Sequence, residues 1–329
     1  MLSRATLVCG LLLACAAAQA GLAFGSAHVL VVDEVSGEVL LSKDADTAAP
    51  IASLTKLMTA MVVLDAQQDP HEDLRIDAAD TEDHFRHSRG GAPVGAVASR
   101  LSLLELALLA SDNRAASALA RHYPGGLEAF GAAMQRKTHA LGLYGTLIEE
   151  PTGLSPNNVS SAQDMVKVLR AAARYPAIGQ ITSRRSHTVL VSGRRWTVHN
   201  TNRLVGAPGW HVLLSKTGFT NDAGRCLAMR AETGGRAVTV VLLGAARPSL
   251  RARDAMTIRR WLAGEAPAVL VRAAAVRPRA PAQRARATTV AGPWPAAGAL
   301  EPVAPIVEPS PGKPPQEGGA AGAADSDTD

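Results

Sequence analysis

Aromatic residues and net charge are both scarce in this chain. Phe, Trp and Tyr make up 3% of the residues, and the formal net charge is only +5. Proteins that bind nucleic acid usually carry a concentrated basic surface or aromatic stacking platforms, so we expect no nucleic-acid partner. The 9 histidines are scattered, and no His-Glu-x-x-His motif occurs. The sequence therefore predicts neither a metal site nor a cofactor.

Long apolar runs are also missing, with one short exception at the amino terminus. Residues 6–18 are apolar but too few to cross a bilayer comfortably. A basic start at Arg4 precedes them, and a small-x-small cleavage pattern ends at Ala20. We therefore predict a signal peptide over residues 1–20 and secretion to the periplasm of a Gram-negative bacterium. Lipid anchoring at Cys15, which lies in a loose lipoprotein box, is the less favoured alternative.

Cysteine is too rare for a fold held together by disulfides. Of the 3 cysteines, Cys9 and Cys15 lie in the predicted signal peptide, which leaves Cys226 alone. An exported protein with one cysteine has no internal disulfide, so its core must supply its stability. Residues 21–263 have an ordinary composition and are numerous enough for one well-buried domain or two lobes.

The remaining segment, residues 264–329, is rich in proline and small residues. Eleven of the 20 prolines fall between Pro267 and Pro315. Such a segment cannot bury enough apolar surface to fold, so we predict a disordered tail that acts as a solvated spacer. Five arginines near its start offer the alternative of weak contact with a membrane or a wall polymer: Arg272, Arg277, Arg279, Arg284 and Arg286.

Apolar patterns predict one sheet built from both ends of the folded domain. Branched apolar runs indicate two early strands and three late ones, over residues 28–32, 39–41, 211–215, 226–231 and 237–243. After Ser53 the pattern is helical for about a hundred residues. Helices are expected over residues 101–110, 114–123, 127–141, 161–173 and 249–263. We predict the α/β class in its α+β form: an antiparallel five-stranded sheet flanked by helices, with an inserted helical lobe and a cleft between them.

One predicted helix contains a feature that a simple apolar core would avoid. In the stretch IASLTKLMTA, Ser53 and Lys56 are spaced so that their side chains share one face of a helix. Burying an ammonium group is costly without partners. A desolvated lysine, however, has a lowered pKa and can take the proton of a nearby serine. The alternative is a helix cap beside a lysine that extends to solvent, and a second Ser-x-x-Lys match at Ser310 shows how little the motif proves alone.

Two more short motifs follow along the chain. A Ser-Asp-Asn motif at residues 111–113 separates two helices. It offers a hydroxyl for proton relay and an amide for a carbonyl, although the same residue types also favour plain helix caps. A Lys-Thr-Gly motif at residues 216–218 ends a predicted strand. Its lysine and hydroxyl could hold a substrate carboxylate, and its glycine would let the substrate backbone lie close to the strand. The alternative interpretation of the motif is an ordinary turn at the end of a strand.

The order of these motifs, on helix, loop and strand, resembles that of the penicilloyl-serine transferases, which include class A β-lactamases and penicillin-binding proteins. Longer stretches such as SDNRAASALARHYPGG and SKTGFTNDAGRCLAM are similar to low-molecular-mass penicillin-binding proteins, the D-alanyl-D-alanine carboxypeptidases and endopeptidases. The chain looks most like endopeptidases of the penicillin-binding protein seven type, over residues 26–263. The resemblance implies a penicillin-binding protein/β-lactamase-like fold and a DD-peptidase domain over residues 21–263.

The resemblance also implies a role for each matching residue. Ser53 would be the acylated nucleophile, Lys56 its base and Ser111 the relay hydroxyl. The other expected contacts bind substrate or form the oxyanion hole: Asn113, Lys216, Thr217, Gly218 and the backbone N–H groups of Ser53 and Phe219. Such a hydrolase acts on peptidoglycan peptide stems in cell-wall biogenesis and cell shape, takes β-lactams as covalent inhibitors, and needs no metal or cofactor.

The most specific expectation is a serine endopeptidase that cuts D-alanyl–diaminopimelyl cross-links, with carboxypeptidase release of terminal D-alanine as the alternative. Both reactions present nearly the same atoms to the three motifs, which therefore leave the choice open. A class A β-lactamase would need a Glu-x-x-Leu-Asn box, which the stretch EEPTGL fails to match, so we expect Glu150 to be structural. A non-catalytic β-lactam sensor or wall-binding module is a further alternative, because fold alone does not give function.

Overall fold

The computed structural model describes residues 23–81 and 91–265. The predicted signal peptide, Cys15 and nearly all of the Pro-rich tail lie outside this part, so the predicted domain boundaries stay predictions. Five strands form one antiparallel sheet: β1 (His28–Asp33), β2 (Val39–Lys43), β9 (His211–Thr220), β10 (Gly224–Thr233) and β11 (Arg236–Ala245). Their order across the sheet is β2-β1-β11-β10-β9. The prediction that two early and three late strands share one antiparallel sheet is confirmed.

Both faces of this sheet are covered, which explains the unbroken apolar runs of its strands. In β1, Val29 and Val31 pack toward the core behind the sheet, whereas Leu30 and Val32 pack toward the helical lobe. Cys226 lies in the lobe-side core, where burial raises the pKa of its thiol to about 11. A buried thiol of this kind is chemically inert.

In the part of the chain that the structure describes, seven α-helices surround the sheet. They are α1 (Lys56–Asp65), α2 (Arg100–Glu105), α3 (Asn113–Arg121), α4 (Gly126–Ala140), α5 (Ala162–Ala172), α6 (Pro176–Thr182) and α7 (Pro248–Leu262). Ser161 caps α5, since its side chain accepts a hydrogen bond from the Asp164 N–H. Helix α7 covers the back of the sheet and the others form the lobe. Over the described part of the chain, no helix combines the length and the apolar character needed to cross a membrane.

The prediction that the hundred residues after Ser53 are helical is wrong in one part. A small ribbon interrupts it, in which β4 (Asp73–Arg75) pairs with β5 (Val97–Ser99). Strands of three residues are too short to show an alternating pattern. Two further short strands, β3 (Ala49–Pro50) and β6 (Val159–Ser160), pair with each other. Strands β7 (Ser186–Val191) and β8 (Arg194–His199) form a hairpin.

Gly153 brings the loop before β6 against the turn that carries Ser53. Its φ is +84°, and a Cβ atom there would lie 1.9 Å from the carbonyl oxygen of Ala52. Gly193, in the turn between β7 and β8, has a similar φ of +71°, but a Cβ atom there would meet nothing within 4 Å. A side chain at either glycine would strain the backbone, but only a side chain at Gly153 would also collide with neighbouring atoms. Comparing the two positions therefore separates the free-energy cost of strain from that of collision.

We expect Gly153→Ala to lower the free energy of unfolding by about 2–5 kcal/mol, because left-handed strain adds to overpacking against backbone. Gly193→Ala should cost only about 1–2 kcal/mol, which is the strain alone. Urea denaturation of both variants gives the comparison. Equal losses in the two variants would show that the contact between Gly153 and the turn at Ala52 contributes nothing.

Candidate active site

The predicted nucleophile lies in a single turn of 3₁₀ helix, Ala52–Thr55, that leads directly into α1. Ser53 is partly accessible, while Lys56 is the first residue of α1 and is buried. Ala52 has a φ of +49°, a left-handed conformation that costs a residue with a Cβ free energy and is typical of functional sites. The Ile51 N–H donates to the carbonyl oxygen of Asn158 at 3.0 Å and holds the turn in place.

Lys56 has three hydrogen-bond acceptors around its amino group. Its Nζ lies 3.0 Å from Ser53 Oγ, 2.6 Å from Asn113 Oδ1 and 2.7 Å from the carbonyl oxygen of Thr152. Three acceptors match the three protons of an ammonium group. The partners that the sequence requires for a buried lysine are therefore present, and the alternative of a lysine that extends to solvent is wrong.

Burial also changes the acidity of Lys56. Desolvation lowers the pKa of its ammonium group to about 8, although the carboxylates of Glu150 and Asp112 oppose this change. About a tenth of the molecules then carry the neutral amine at pH 7. The neutral amine has two protons and one lone pair, so it can keep its bonds to Asn113 and Thr152 and direct the lone pair at Ser53 Oγ.

The Thr152 carbonyl is positioned by the buried carboxylate of Glu150. This carboxylate accepts hydrogen bonds from the backbone N–H groups of Thr152 at 2.6 Å, Gly153 at 2.6 Å and Leu154 at 2.8 Å. Asn158 Nδ2 donates to the same carboxylate at 3.1 Å. Because its oxygens serve its own loop, Glu150 has the structural role that the sequence suggests.

The Ser-Asp-Asn motif both caps a helix and contacts the buried lysines. A π-helical segment, Leu106–Ala110, ends at Ser111, which has a φ of +62°. Asp112 then caps α3 by accepting from the N–H groups of Arg114 and Ala115. The cap thus belongs to Asp112, while Asn113 Oδ1 reaches Lys56 Nζ and Ser111 Oγ reaches a second lysine.

That second lysine is Lys216, on the edge strand β9. Its Nζ donates to Ser111 Oγ at 2.8 Å and to the carbonyl oxygen of Thr217 at 2.9 Å. Burial, together with the positive charges of Lys56 and Arg251, holds the pKa of the Lys216 ammonium well below its usual value. Two serine–lysine pairs, Ser53 with Lys56 and Ser111 with Lys216, therefore lie side by side.

The strand does not end at the Lys-Thr-Gly motif as predicted, because β9 continues to Thr220. Gly218 also allows a close approach within the protein that the motif alone does not predict. A Cβ atom there would lie 2.8 Å from the carbonyl oxygen of Ile51 and 3.2 Å from the backbone nitrogen of Ser53. The glycine therefore lets β9 pack against the serine turn itself. Phe219 follows it, half exposed, on the same strand.

Several contacts of this site could not be predicted from a sequence motif. Thr217 Oγ1 donates to Thr201 Oγ1 at 2.7 Å, and the guanidinium of Arg225 lies 3.4 Å from the centre of the Phe219 ring. The stretch NTNRLV, which contains Thr201, is notable only by its resemblance to penicillin-binding proteins. Within residues 23–81 and 91–265, no group of three or more His, Cys, Asp and Glu side chains is arranged to hold a metal ion.

Comparison with known proteins agrees with this arrangement. Two curated relatives are D-alanyl-D-alanine endopeptidases. The Pseudomonas aeruginosa enzyme is 44% identical over 262 residues, which cover 79% of this chain and 84% of the relative. The Escherichia coli enzyme is 42% identical over 248 residues, which cover 75% and 79%.

Solved structures share the fold. The Streptomyces K15 DD-transpeptidase superposes with a TM-score of 0.67 at 25% identity, over 74% of this chain and 98% of that one. The D-alanyl-D-alanine carboxypeptidase of Mycobacterium tuberculosis H37Rv gives a TM-score of 0.66 at 30% identity, over 75% and 94%. The predicted fold class is confirmed. The family model of D-alanyl-D-alanine carboxypeptidases, peptidase S11, matches residues 14–247, and the chain belongs to that family.

Proposed function

We propose that this protein is a serine D-alanyl-D-alanine endopeptidase that hydrolyses D-alanyl–diaminopimelyl cross-links in peptidoglycan through an acyl-enzyme on Ser53. The observation that carries the proposal is the buried Nζ of Lys56, 3.0 Å from Ser53 Oγ, with a pKa lowered to about 8. The relatives at 44% and 42% identity, both named as endopeptidases, support this choice within the family.

Acylation begins when the neutral amine of Lys56 takes the proton of Ser53 and Oγ attacks the carbonyl carbon of the donor D-alanine. The developing oxyanion is stabilised by the backbone N–H groups of Ser53 and Phe219, donors of a kind that often make the largest single contribution to catalysis. The Asn113 amide, whose oxygen faces Lys56, holds the acyl donor. Gly218 keeps strand and serine turn close enough for both N–H groups to act on one oxygen.

Collapse of the tetrahedral intermediate requires a proton for the leaving nitrogen. Ser111 Oγ accepts a hydrogen bond from Lys216, which leaves the Ser111 hydroxyl proton for the leaving amine. The proton that Lys56 took from Ser53 then restores the Ser111 hydroxyl. Lys216 keeps its ammonium form, which a bound anion favours, and with the Thr217 hydroxyl it binds the carboxylate beside the scissile nitrogen. Water hydrolyses the acyl-enzyme in the last step.

The setting of the reaction follows from the relatives and the predicted leader. The curated relatives are bacterial, and peptidoglycan stems are their family's substrate class, so we place the enzyme in the periplasm. β-Lactams acylate the same serine as substrate mimics. Glu150 is occupied by the N–H groups of its own loop, which argues against a class A β-lactamase mechanism in which a glutamate directs deacylating water.

Digestion of purified cross-linked muropeptide dimers, beside monomeric pentapeptides, tests the proposed substrate. We expect monomeric products from the dimers and little D-alanine from the pentapeptide. Brisk release of D-alanine with intact dimers would make the protein a carboxypeptidase. Rapid turnover of nitrocefin, in place of one-hit acylation, would instead favour a β-lactamase.

We expect penicillin to form a single covalent adduct at Ser53, because this serine has both an adjacent buried lysine that can remove its proton and the proposed oxyanion-hole N–H groups beside it. Intact mass after penicillin treatment should increase by one addition in the wild type and in Ser310→Ala. Ser53→Ala should show no addition. Labelling that persists in Ser53→Ala would place the nucleophile elsewhere.

Lys56 should also control the pH dependence of acylation. Below a pKa of about 8 the ammonium form predominates and cannot accept a proton, so the second-order rate of penicillin acylation should rise about tenfold per pH unit and level off above that pKa. Lys56→Arg keeps the charge but stays protonated, so acylation should be lost. Lys167→Arg, a lysine paired with Asp164 at the surface, is the matched control. A flat profile from pH 6 to pH 9, read with the same assay, would identify another base.

A further inference from the structure

A buried carboxylate that the proposed reaction does not use lies at the start of the segment that carries Ser111. Glu105 is the last residue of α2, and only 8% of it is exposed. Burial raises the pKa of its carboxyl group, although His187 and Arg184 oppose this change. Because a buried charge is costly unless it is paired, the contacts of this carboxylate indicate which parts of the protein it holds together.

The partners of Glu105 belong to the β7–β8 hairpin and its base. Its Oε1 lies 3.2 Å from Nε2 of His187, on β7, and 3.5 Å from Nη1 of Arg184, just before that strand. The base of the hairpin is itself fixed, since Asn200 Nδ2 donates to the carbonyl oxygens of Thr182 and Arg184 at 2.8 and 2.9 Å. The carboxylate therefore joins the end of α2 to a part of the structure that has its own supports.

The residue after Glu105 fixes the turn at Ser111. Leu106 begins the π-helical segment, and its carbonyl oxygen accepts hydrogen bonds from the N–H groups of Ser111 and Asp112, the latter at 3.0 Å. Ser111 is held in a left-handed conformation, with a φ of +62°, which costs free energy and needs support from its surroundings. A displacement of Leu106 would therefore move the Ser111 hydroxyl away from Lys216.

We propose that Glu105 is a positioning residue: by pairing with the β7–β8 hairpin, it holds the π-helical segment so that the Ser111 hydroxyl can protonate the leaving nitrogen. The inference rests on the proposed function, in which Ser111 supplies that proton. A second link supports it, since the Thr201 N–H, just after the hairpin, donates to the carbonyl oxygen of Leu109 at 3.2 Å. The hairpin and the residues that follow it thus hold the π-helical segment near both of its ends.

A pair of substrates separates the positioning of Ser111 from a general loss of structure. One is a cross-link peptide with its scissile amide, and the other is its thioester analogue, in which sulfur replaces the scissile nitrogen. When Ser53 Oγ attacks the thioester, the C–S bond breaks and the thiolate leaves with the electron pair, so only the amide needs a proton from Ser111. The readout is the kcat/KM for the amide divided by that for the thioester. A partly misfolded variant lowers both values equally and leaves this ratio unchanged.

Ser111→Ala removes the proposed proton donor and should lower the ratio by about a hundredfold, as expected for general acid catalysis. Glu105→Ala should lower it about tenfold, because the Ser111 hydroxyl is kept but misplaced. Glu105→Gln keeps the size and one oxygen acceptor, so it should recover part of this loss. The matched control is Glu232→Gln, which removes a surface carboxylate paired with His211 at 2.9 Å and should keep the wild-type ratio.

The partners on the hairpin side give an independent arm of the test. Arg184→Gln combined with His187→Gln should lower the ratio as Glu105→Ala does, and adding Glu105→Ala to this pair should lower it no further. A wild-type ratio in Glu105→Ala, or equal losses on both substrates, would overturn the inference. An unchanged ratio in Ser111→Ala would remove its proposed role as proton donor, and the inference with it. Failure of wild type to cleave the amide peptide would instead remove the proposed function itself.

Discussion

The burial of one lysine amino group beside a serine is the constraint around which this structure is organised. An ammonium group inside a protein is tolerated only when its protons have acceptors. For Lys56 the acceptors come from three segments: its own serine turn, the first residue of α3 and the loop at Thr152. Each segment needs its own support. The loop is held by the Glu150 carboxylate, and α3 begins where it does because a π-helical segment ends at Ser111 and Asp112 caps the helix.

The second buried lysine, Lys216, affects which of the two lysines carries a proton. Lys56 and Lys216 are both buried, and the charge of Lys56 opposes protonation of Lys216. Two like charges held close together resist being ionised at the same time. The carboxylates of Glu150 and Asp112 raise the pKa of Lys56, whereas the side-chain partner of Lys216 is the neutral hydroxyl of Ser111. A substrate carboxylate bound at Lys216 favours the ammonium form of that lysine, and this charge in turn favours the neutral amine at Lys56 that the proposed reaction needs.

How much of this could be predicted depended on how far each contact reaches along the chain. The pairing of Ser53 with Lys56 follows from helical spacing alone, and the three motifs supplied every lysine and hydroxyl of the proposed reaction. The Thr152 carbonyl could not be predicted, because every residue has a carbonyl and only the loop around Glu150 selects this one. Gly218 was predicted from the substrate alone, and its close approach to the serine turn could not be predicted, because the turn lies far away along the chain.

The distances along the chain between the partners of the two lysines have a consequence for when the enzyme becomes reactive. Lys56 meets acceptors 57 and 96 residues away, and Lys216 meets Ser111 across 105 residues. Contacts of such separation require the intervening chain to be ordered. A chain that lacks them has an ordinary, solvated lysine and an unreactive serine. Folding itself therefore assembles the reactive pair.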